Sequence, residues 1–342
     1  MNAEPHMPET RPGTPDLTVV IPVYNEREVL PSCLQRLKTV LAPLGLKTEL
    51  LFVDDGSRDG SVEWLIEHAA DVDLCRVIRL SRNFGKEAAV TAGMAMARGD
   101  AVVLIDADLQ DPPELIPDMI AQWRNGVDVV LMQRRTRQGE SIIKRLTSRL
   151  FYRLLRYSSA LEIPVDVGDF RLMSRRAVAA LNQLPERNRY MKGLFAWVGM
   201  PTVTLLYDRD PRAAGASKWN YLELFRLAIE AITSFSTRPL KLAILLGLVA
   251  AVCGVAFGLW IAFKALAFGD PVQGYPSLIA IITFLGGAQL ITVGIVGEYV
   301  GKTYIESKQR PVYIVQDVIE AAGSERGTPE SSAENRANEV QA

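Results

Sequence analysis

Short runs rich in β-branched and other apolar residues recur through the first part of the chain. Leu17–Pro22, Leu50–Val53, Arg76–Leu80, Ala101–Leu104 and Val127–Met132 each have the length and composition of a buried strand. Between them, Glu28–Leu41, Val62–Ala70, Glu87–Ala97 and Pro113–Trp123 are longer and read as helices. Pro113 and Glu114 suit a helical first turn, one by its fixed φ and the other by its negative charge. Strands alternating with helices predict a doubly wound, mainly parallel α/β sheet, Rossmann-like in plan. Such sheets bind ligands beyond the carboxyl ends of their strands. The residues expected to converge there are Tyr24, Asn25 and Glu26; Asp54 and Asp55; Asn83 and Lys86; Asp106 and Asp108; and Arg134 and Arg135.

The pattern changes near the C-terminus. Leu242–Phe263 and Pro276–Gly297 are uncharged. At 1.5 Å per residue each is long enough to cross a hydrocarbon core of about 30 Å. Arg238 and Lys241 precede the first run, and Lys302, Lys308 and Arg310 follow the second. The excess of positive charge on those flanks predicts two transmembrane helices with both ends cytoplasmic and a short outer loop. The expected organisation is a flexible start over 1–15 and a cytoplasmic catalytic domain over 16–220. A juxtamembrane amphipathic helix over 221–239, the helix pair within 240–299, a cytoplasmic segment over 300–322 and a disordered tail over 323–342 follow.

Within 142–156, Arg145, Arg149, Arg153 and Arg156 share one helical face beside an apolar one. That combination suits a membrane surface, and also an ordinary solvated helix. Composition removes other chemistries. The formal charge of −1 argues against nucleic acid as a partner. Three scattered cysteines fit neither a zinc site nor a disulfide framework, and two histidines in surface settings make triad chemistry improbable. No Gly-x-Gly-x-x-Gly follows the first strand, and no P-loop is present.

The sharpest candidate chemistry is Asp106-Ala107-Asp108, where the fourth strand ends. Residues two apart in extended chain point the same way, so both carboxylates can face one cation. Hard oxygen ligands suit Mg²⁺ or Mn²⁺ completed by water and substrate phosphates. An Asp-x-Asp is also common in plain turns. Carboxylates for a metal and a ribose or base, together with basic groups for phosphate, describe a nucleoside-diphosphate site.

Val20–Glu26, Val53–Ser57, Arg82–Glu87 and Asp106–Pro112 resemble family 2 glycosyltransferases of the GT-A fold. The resemblance runs on through Asp166–Ser174, Pro185–Gly193, Thr233–Ser236, Gly274–Leu278 and Gly297–Gly301, covering roughly residues 17–318. Within that family the chain is most similar to polyprenyl-phosphate sugar transferases, the bactoprenol glucosyltransferases and dolichol-phosphate mannose synthases. The resemblance implies that Pro22, Tyr24, Glu26 and Asp55 bind the nucleoside, with Lys86 and Asp106 also on the donor. It implies that Asp106, Asp108 and Gln110 hold the metal, and that Asp108 and Asp169 serve catalysis. Asp169, in the short polar stretch Gly168–Arg171, would act as base or place the acceptor, with a plain structural turn aspartate as the alternative. Arg134, with Arg212, Ser217 and Lys218 of a basic loop, would meet the diphosphate or the lipid phosphate.

The implied reaction is inverting transfer of a hexose, with glucose from UDP-glucose favoured, to undecaprenyl phosphate at the cytoplasmic leaflet of a bacterial inner membrane. It would serve cell-envelope glycan or O-antigen modification. The alternatives are mannose or amino-arabinose transfer to the same lipid, or a non-catalytic two-span scaffold. A processive polysaccharide synthase would carry Gln-x-x-Arg-Trp, and Gln122-Trp123-Arg124 has the wrong order. The resemblance also suggests a homotetramer. Small residues at Gly286-Gly287-Ala288, Gly294 and Gly297 would permit close helix contact, either between subunits or within one chain.

Overall fold

The computed structural model describes residues 14–69, 74–135, 167–208, 232–234, 236–268 and 275–320. Strands β1 (Leu17–Val23), β2 (Thr48–Asp54), β3 (Cys75–Leu80) and β4 (Ala101–Leu104) run parallel. Helices α1 (Leu30–Leu41), α2 (Ser61–Ala69) and α3 (Lys86–Met96) connect them. After α4 (Ile116–Arg124) come β5 (Val129–Arg134), β6 (Val167–Ser174), α5 (Arg175–Asn182), α6 (Met191–Trp197) and β7 (Thr202–Tyr207). Two long helices follow, α7 (Arg238–Phe268) and α8 (Tyr275–Ser307), and then β8 (Val315–Glu320). The sheet order is β7-β5-β6-β4-β1-β2-β3-β8.

The period of two along β1 explains the layering. Leu17, Val19, Ile21 and Val23 pack toward α1 and α4, against Leu30, Leu37, Ile116 and Met119. Val20 joins the opposite layer with Ala89, Val90, Ala92 and Met94 of α3. Both faces are covered, so the central strands read as continuous apolar runs rather than alternating ones. Gly93 lets α3 lie close on β1, because a Cβ there would stand 2.3 Å from Val20 Cγ1.

Two features differ from the sequence expectation. β6 is antiparallel to both β4 and β5 and sits between them. Asp169 and its neighbours therefore lie in a strand rather than in a plain turn, because the 167–174 backbone finds ladder partners on both sides. β8 pairs antiparallel with β3, so the catalytic sheet is not confined to residues before 220. Nothing local in Val315–Glu320 marks it as part of that sheet; the pairing spans well over 200 residues of sequence.

Helices α7 and α8 are apolar and expose Leu245, Leu259, Phe284 and Leu290. Arg238–Trp260 and Ile281–Ser307 reach mean hydropathies of 2.6 and 1.6 and are long enough to cross a membrane. They extend past the uncharged runs at both ends. The helices pack as a hairpin, with Tyr299 donating to the Ser236 carbonyl at the start of α7 and Lys302 Nζ donating to Ser234 Oγ at 2.9 Å. The start of α7 and the later part of α8 therefore lie together, and a short link after α8 leads into β8 of the sheet. The basic helix expected over 142–156 lies outside the described residues.

At the end of the sheet opposite the strand exits, Glu49 and Arg76 are buried together at 2.7 Å. Glu49 also accepts from Thr18 Oγ1 at 2.6 Å and from the Arg98 backbone at 3.1 Å. Arg76 reaches the Met96 carbonyl at 3.1 Å and Glu320 of β8 at 3.4 Å. A buried pair stabilises little relative to apolar residues, yet breaking one strands a charge. Arg76→Met is expected to cost about 3–5 kcal/mol by leaving Glu49 alone. The double variant Arg76→Met/Glu49→Gln should recover most of that loss, as read from denaturation midpoints in detergent.

Candidate active site

The loops after β1 and β2 are laced together by short polar bonds. Asn25 stands at φ +55°, and its backbone N–H donates to Ser57 Oγ at 2.9 Å while its Oδ1 accepts from the Arg58 N–H at 2.9 Å. The Glu26 N–H donates to Ser61 Oγ at 3.1 Å and the Arg27 N–H to Asp59 Oδ2 at 3.0 Å. Asp54 accepts from the Gly56 and Ser57 N–H groups, so it shapes its own turn. Asp55 is buried and accepts from the Phe84 and Gly85 N–H groups at 2.7 and 2.8 Å, which ties down the loop after β3. That loop passes so close that a Cβ on Gly56, at φ +73°, would lie 2.7 Å from the Arg82 and Asn83 backbone. Pro22, half-exposed Tyr24, Glu26 and Asp55 thus all stand at the first two strand exits. Each Asp55 oxygen keeps a second lone pair after these bonds.

The tightest candidate cluster of charged side chains lies at β4 and β6. Leu104 pairs with Arg171 across the antiparallel ladder, so continuing two residues brings Asp106 opposite Asp169. Lys86, in the first turn of α3, stands between them. Its Nζ is 2.6 Å from Asp106 Oδ1 and 2.6 Å from Asp169 Oδ2. Burial opposes the lysine charge, but Asp106 and Asp169 outweigh it and hold its pKa above the usual value. Burial likewise works against ionised Asp169, yet the Lys86 and Lys192 ammoniums hold its carboxyl below the ordinary range. Burial and the facing Asp169 charge push Asp106 upward against the pull of Lys86. Glu87, the next residue on α3, is pushed up to about 7 by burial and then by Asp169.

Buried Arg171 holds the β6 entrance in shape. Its Nη2 donates to the Gly168 carbonyl at 2.7 Å and its Nε to the Asp169 carbonyl at 3.2 Å. The guanidinium lies 3.7 Å from the Phe195 ring centroid, a cation–π contact that helps offset its burial. At the neighbouring exit, Arg134 of β5 is in register with Tyr207 of β7, and Arg134 Nε donates to the Tyr207 hydroxyl at 3.4 Å. The Tyr207 hydroxyl in turn donates to Asp111 Oδ1. The segment after β4 is fixed at a second point by Arg36 of α1, which grips Glu114 with two bonds of 2.6 and 2.7 Å.

Just before those anchors, Leu109 adopts φ +57°, an uncommon conformation for a branched side chain. It lies between Asp108 and Gln110, and Asp108 Oδ1 accepts from the Gln110 N–H at 3.1 Å. Among the described residues no three His, Cys, Asp or Glu side chains form a closed metal cage. Mg²⁺ commonly takes one or two carboxylates and completes its shell with water and substrate phosphates. Asp106, Asp108 and Gln110 offer oxygen donors of the kind such an ion takes, and in this structure both Asp106 oxygens face Lys86 Nζ, at 2.6 and 2.8 Å.

The description "Glycosyl transferase family 2" fits residues 18–181, a span that covers every strand exit described above except those of β7 and β8. Over 305 residues the chain is 46% identical to an uncharacterized glycosyltransferase of Synechocystis sp., covering 89% of this chain and 96% of that one. The chain belongs to glycosyl transferase family 2. This glycosyltransferase is also 44% identical, over 301 residues, to the bactoprenol glucosyl transferase of Shigella phage SfV, covering 88% and 98% of the two chains. Among solved structures it is similar to glucosyl-3-phosphoglycerate synthase from Mycobacterium tuberculosis, at 20% identity and a TM-score of 0.45 over 65% of this chain and 77% of that one. The GT-A fold expected from sequence is the fold of this transferase.

Arg212, Ser217 and Lys218 lie outside the described residues. Sequence reasoning did not assign Glu87, Arg171, Lys192, Asp111 or Tyr207. Glu87, Asp111, Arg171 and Lys192 stand inside stretches that carry the family resemblance, which was the available signal. Tyr207 had none, since its place depends on β7 pairing with β5.

Lys86→Met leaves Asp106 and Asp169 facing each other without a shared cation. The glycosyl-transfer rate is expected to fall by about 10²-fold or more, as for loss of a preorganised electrostatic group; an unchanged rate would remove Lys86 from the active centre. Glu87 has a folded pKa above its ordinary 4.5, so the folded state keeps a proton that the unfolded state has released. Stability should therefore decline as pH rises from about 4.5 to about 7. Glu87→Gln should abolish that decline, giving the variant a melting-temperature advantage over wild type that grows between roughly pH 5 and pH 8.

Proposed function

We propose that this glycosyltransferase moves a hexose, glucose from UDP-glucose, onto the phosphate of undecaprenyl phosphate with inversion, at the cytoplasmic leaflet of a bacterial inner membrane. The observation that carries this reading is the union of the Asp106–Lys86–Asp169 centre with a hairpin of two apolar helices whose chain re-enters the same sheet as β8. A catalytic edge bound to a membrane hairpin suits an acceptor that resides in the bilayer. The phage relative's name, bactoprenol glucosyl transferase, agrees with that acceptor and with glucose.

Pro22, Tyr24, Glu26 and Asp55 take the nucleoside. Mg²⁺ or Mn²⁺ held by Asp106, Asp108 and Gln110 would offset the negative charge that develops on the departing diphosphate. Arg134, steadied by Tyr207, meets phosphate from the β5 side together with Arg212, Ser217 and Lys218. An acceptor phosphate oxygen forms the bond to the anomeric carbon as the bond from that carbon to UDP breaks, and UDP keeps the electron pair. A phosphate monoester is mostly dianionic at neutral pH, its second pKa being about 6. The attack therefore needs no strong base, and Asp169, kept ionised by its lysines, acts by placing Lys86 and orienting the acceptor. Cβ atoms added to Gly286, Gly287, Gly294 and Gly297 would meet nothing within 4 Å among the described residues. That stripe is left open to the helix of another subunit, as a homotetramer requires.

The test uses membranes or purified protein with undecaprenyl phosphate and radiolabelled UDP-glucose, UDP-galactose or GDP-mannose, with and without chelator. Chloroform-soluble label is expected from UDP-glucose, abolished by chelator, and reduced by about 10²-fold or more in Asp106→Asn and Asp108→Asn. Label from GDP-mannose alone would replace the sugar, and no lipid-linked label from any donor would sink the reading.

A further inference from the structure

Ten residues beyond the uncharged run, α8 still continues, and it ends against the catalytic unit. Glu306, half-buried in its last turn, accepts from the Arg187 N–H at 2.9 Å and from the Asn188 N–H at 2.9 Å. The Arg187 side chain answers from the other side, its Nε donating to the Arg310 carbonyl at 2.9 Å. The segment gripped in this way is internally braced. Arg189 donates to the Leu184 carbonyl at 2.6 Å and to the Glu186 carbonyl at 2.9 Å. The Tyr190 carbonyl then accepts from the Gly193 and Leu194 N–H groups to open α6. At its far end, the buried Met191 gives its backbone N–H to the Glu87 carboxylate, and Thr91 Oγ1 of α3 reaches Met191 Sδ at 3.7 Å. The next residue, Lys192, is with Lys86 one of two lysines whose charge acts on both Asp169 and Glu87.

Residues 187–192 are therefore a short strut held by its backbone at both ends. A carboxylate on the membrane-hairpin helix grips one end, and a carboxylate beside the Asp106–Lys86–Asp169 centre grips the other. Bonds given by backbone N–H groups fix the main chain itself rather than a mobile side chain.

We propose that Glu306 is a positioning residue that ties the end of α8 to the 187–192 strut and, through the contact of Met191 with Thr91, sets the helix hairpin against α3, the helix that carries Lys86. The inference rests on the lipid-phosphate reading above. Glu306 acts from a distance: it transmits the position of the helix hairpin to the helix that holds the cation shared by Asp106 and Asp169.

The experiment compares wild type, Glu306→Ala and Glu306→Gln as full-length protein in lipid nanodiscs. Initial rates are measured against undecaprenyl phosphate and against UDP-glucose, and backbone hydrogen exchange is followed in parallel. In Glu306→Ala, KM for undecaprenyl phosphate should rise by about tenfold, the scale of losing charged hydrogen bonds. KM for UDP-glucose should stay within about twofold, a difference well below the cost of one hydrogen bond. Exchange should quicken from Arg187 through Lys192 while β1 and β4 stay protected. Glu306→Gln, which keeps an acceptor oxygen without the charge, should fall between the two. A parallel loss on both substrates with a lowered melting temperature would make the role purely structural and overturn the proposal. If wild type forms no lipid-linked sugar, the functional reading fails by itself. Exchange then decides the strut: quickening that reaches Met191 and Lys192 supports it, and quickening confined to Arg187 and Asn188 overturns it.

Discussion

Two carboxylates can be kept within reach of each other only if something positive stands between them, and in this transferase that is Lys86. Asp106 and Asp169 come from strands of opposite direction, and each lies 2.6 Å from the same ammonium. Their mutual repulsion in a partly buried setting would otherwise neutralise one of them or separate the strand ends. Lys86 is in turn placed by α3, whose close seat on β1 depends on the missing side chain of Gly93. The position of one charged nitrogen therefore depends on helix packing in the core, on the β4–β6 register and on the loop that Asp55 pins.

The antiparallel strand β6 is the architectural condition for this centre. In a wholly parallel sheet every strand exit leads away into a helix. Inserting β6 between β4 and β5 turns one strand around, so its beginning, not its end, faces the ligand edge. Asp169 then stands opposite Asp106 across Lys86, and buried Arg171, two residues on, is bonded to the carbonyls of Gly168 and Asp169. The buried guanidinium is tolerated because the carbonyls, the Phe195 ring and the nearby carboxylates each return part of its lost hydration.

The far end of the chain binds the apolar hairpin to the same body. β8 completes the sheet beside β3, and Glu320 reaches both Arg76 and Arg98. Glu306 and Arg187 join α8 to the segment before α6. A catalytic unit linked to apolar helices by one loop would sample many heights above a bilayer. Contacts at β8 and at Glu306 restrict that freedom, as the proposed transfer to a lipid-borne phosphate would need.

Sequence alone determined the features that depend on neighbours along the chain. Five strands and four helices of the parallel half follow from apolar periodicity and stand within a few residues of their expected places. The two apolar helices follow from uncharged length. Resemblance added Lys86 and Asp169 as site residues but left their contact unstated. Tertiary structure decided what depends on pairing across long separations. It set the direction of β6, the return of β8, the sharing of Lys86, and the burial of Glu87 and Arg171. The reason is that hydrophobic period is written locally. Strand order, register and the electrostatic partner of a charge depend on which distant segments the whole core brings together.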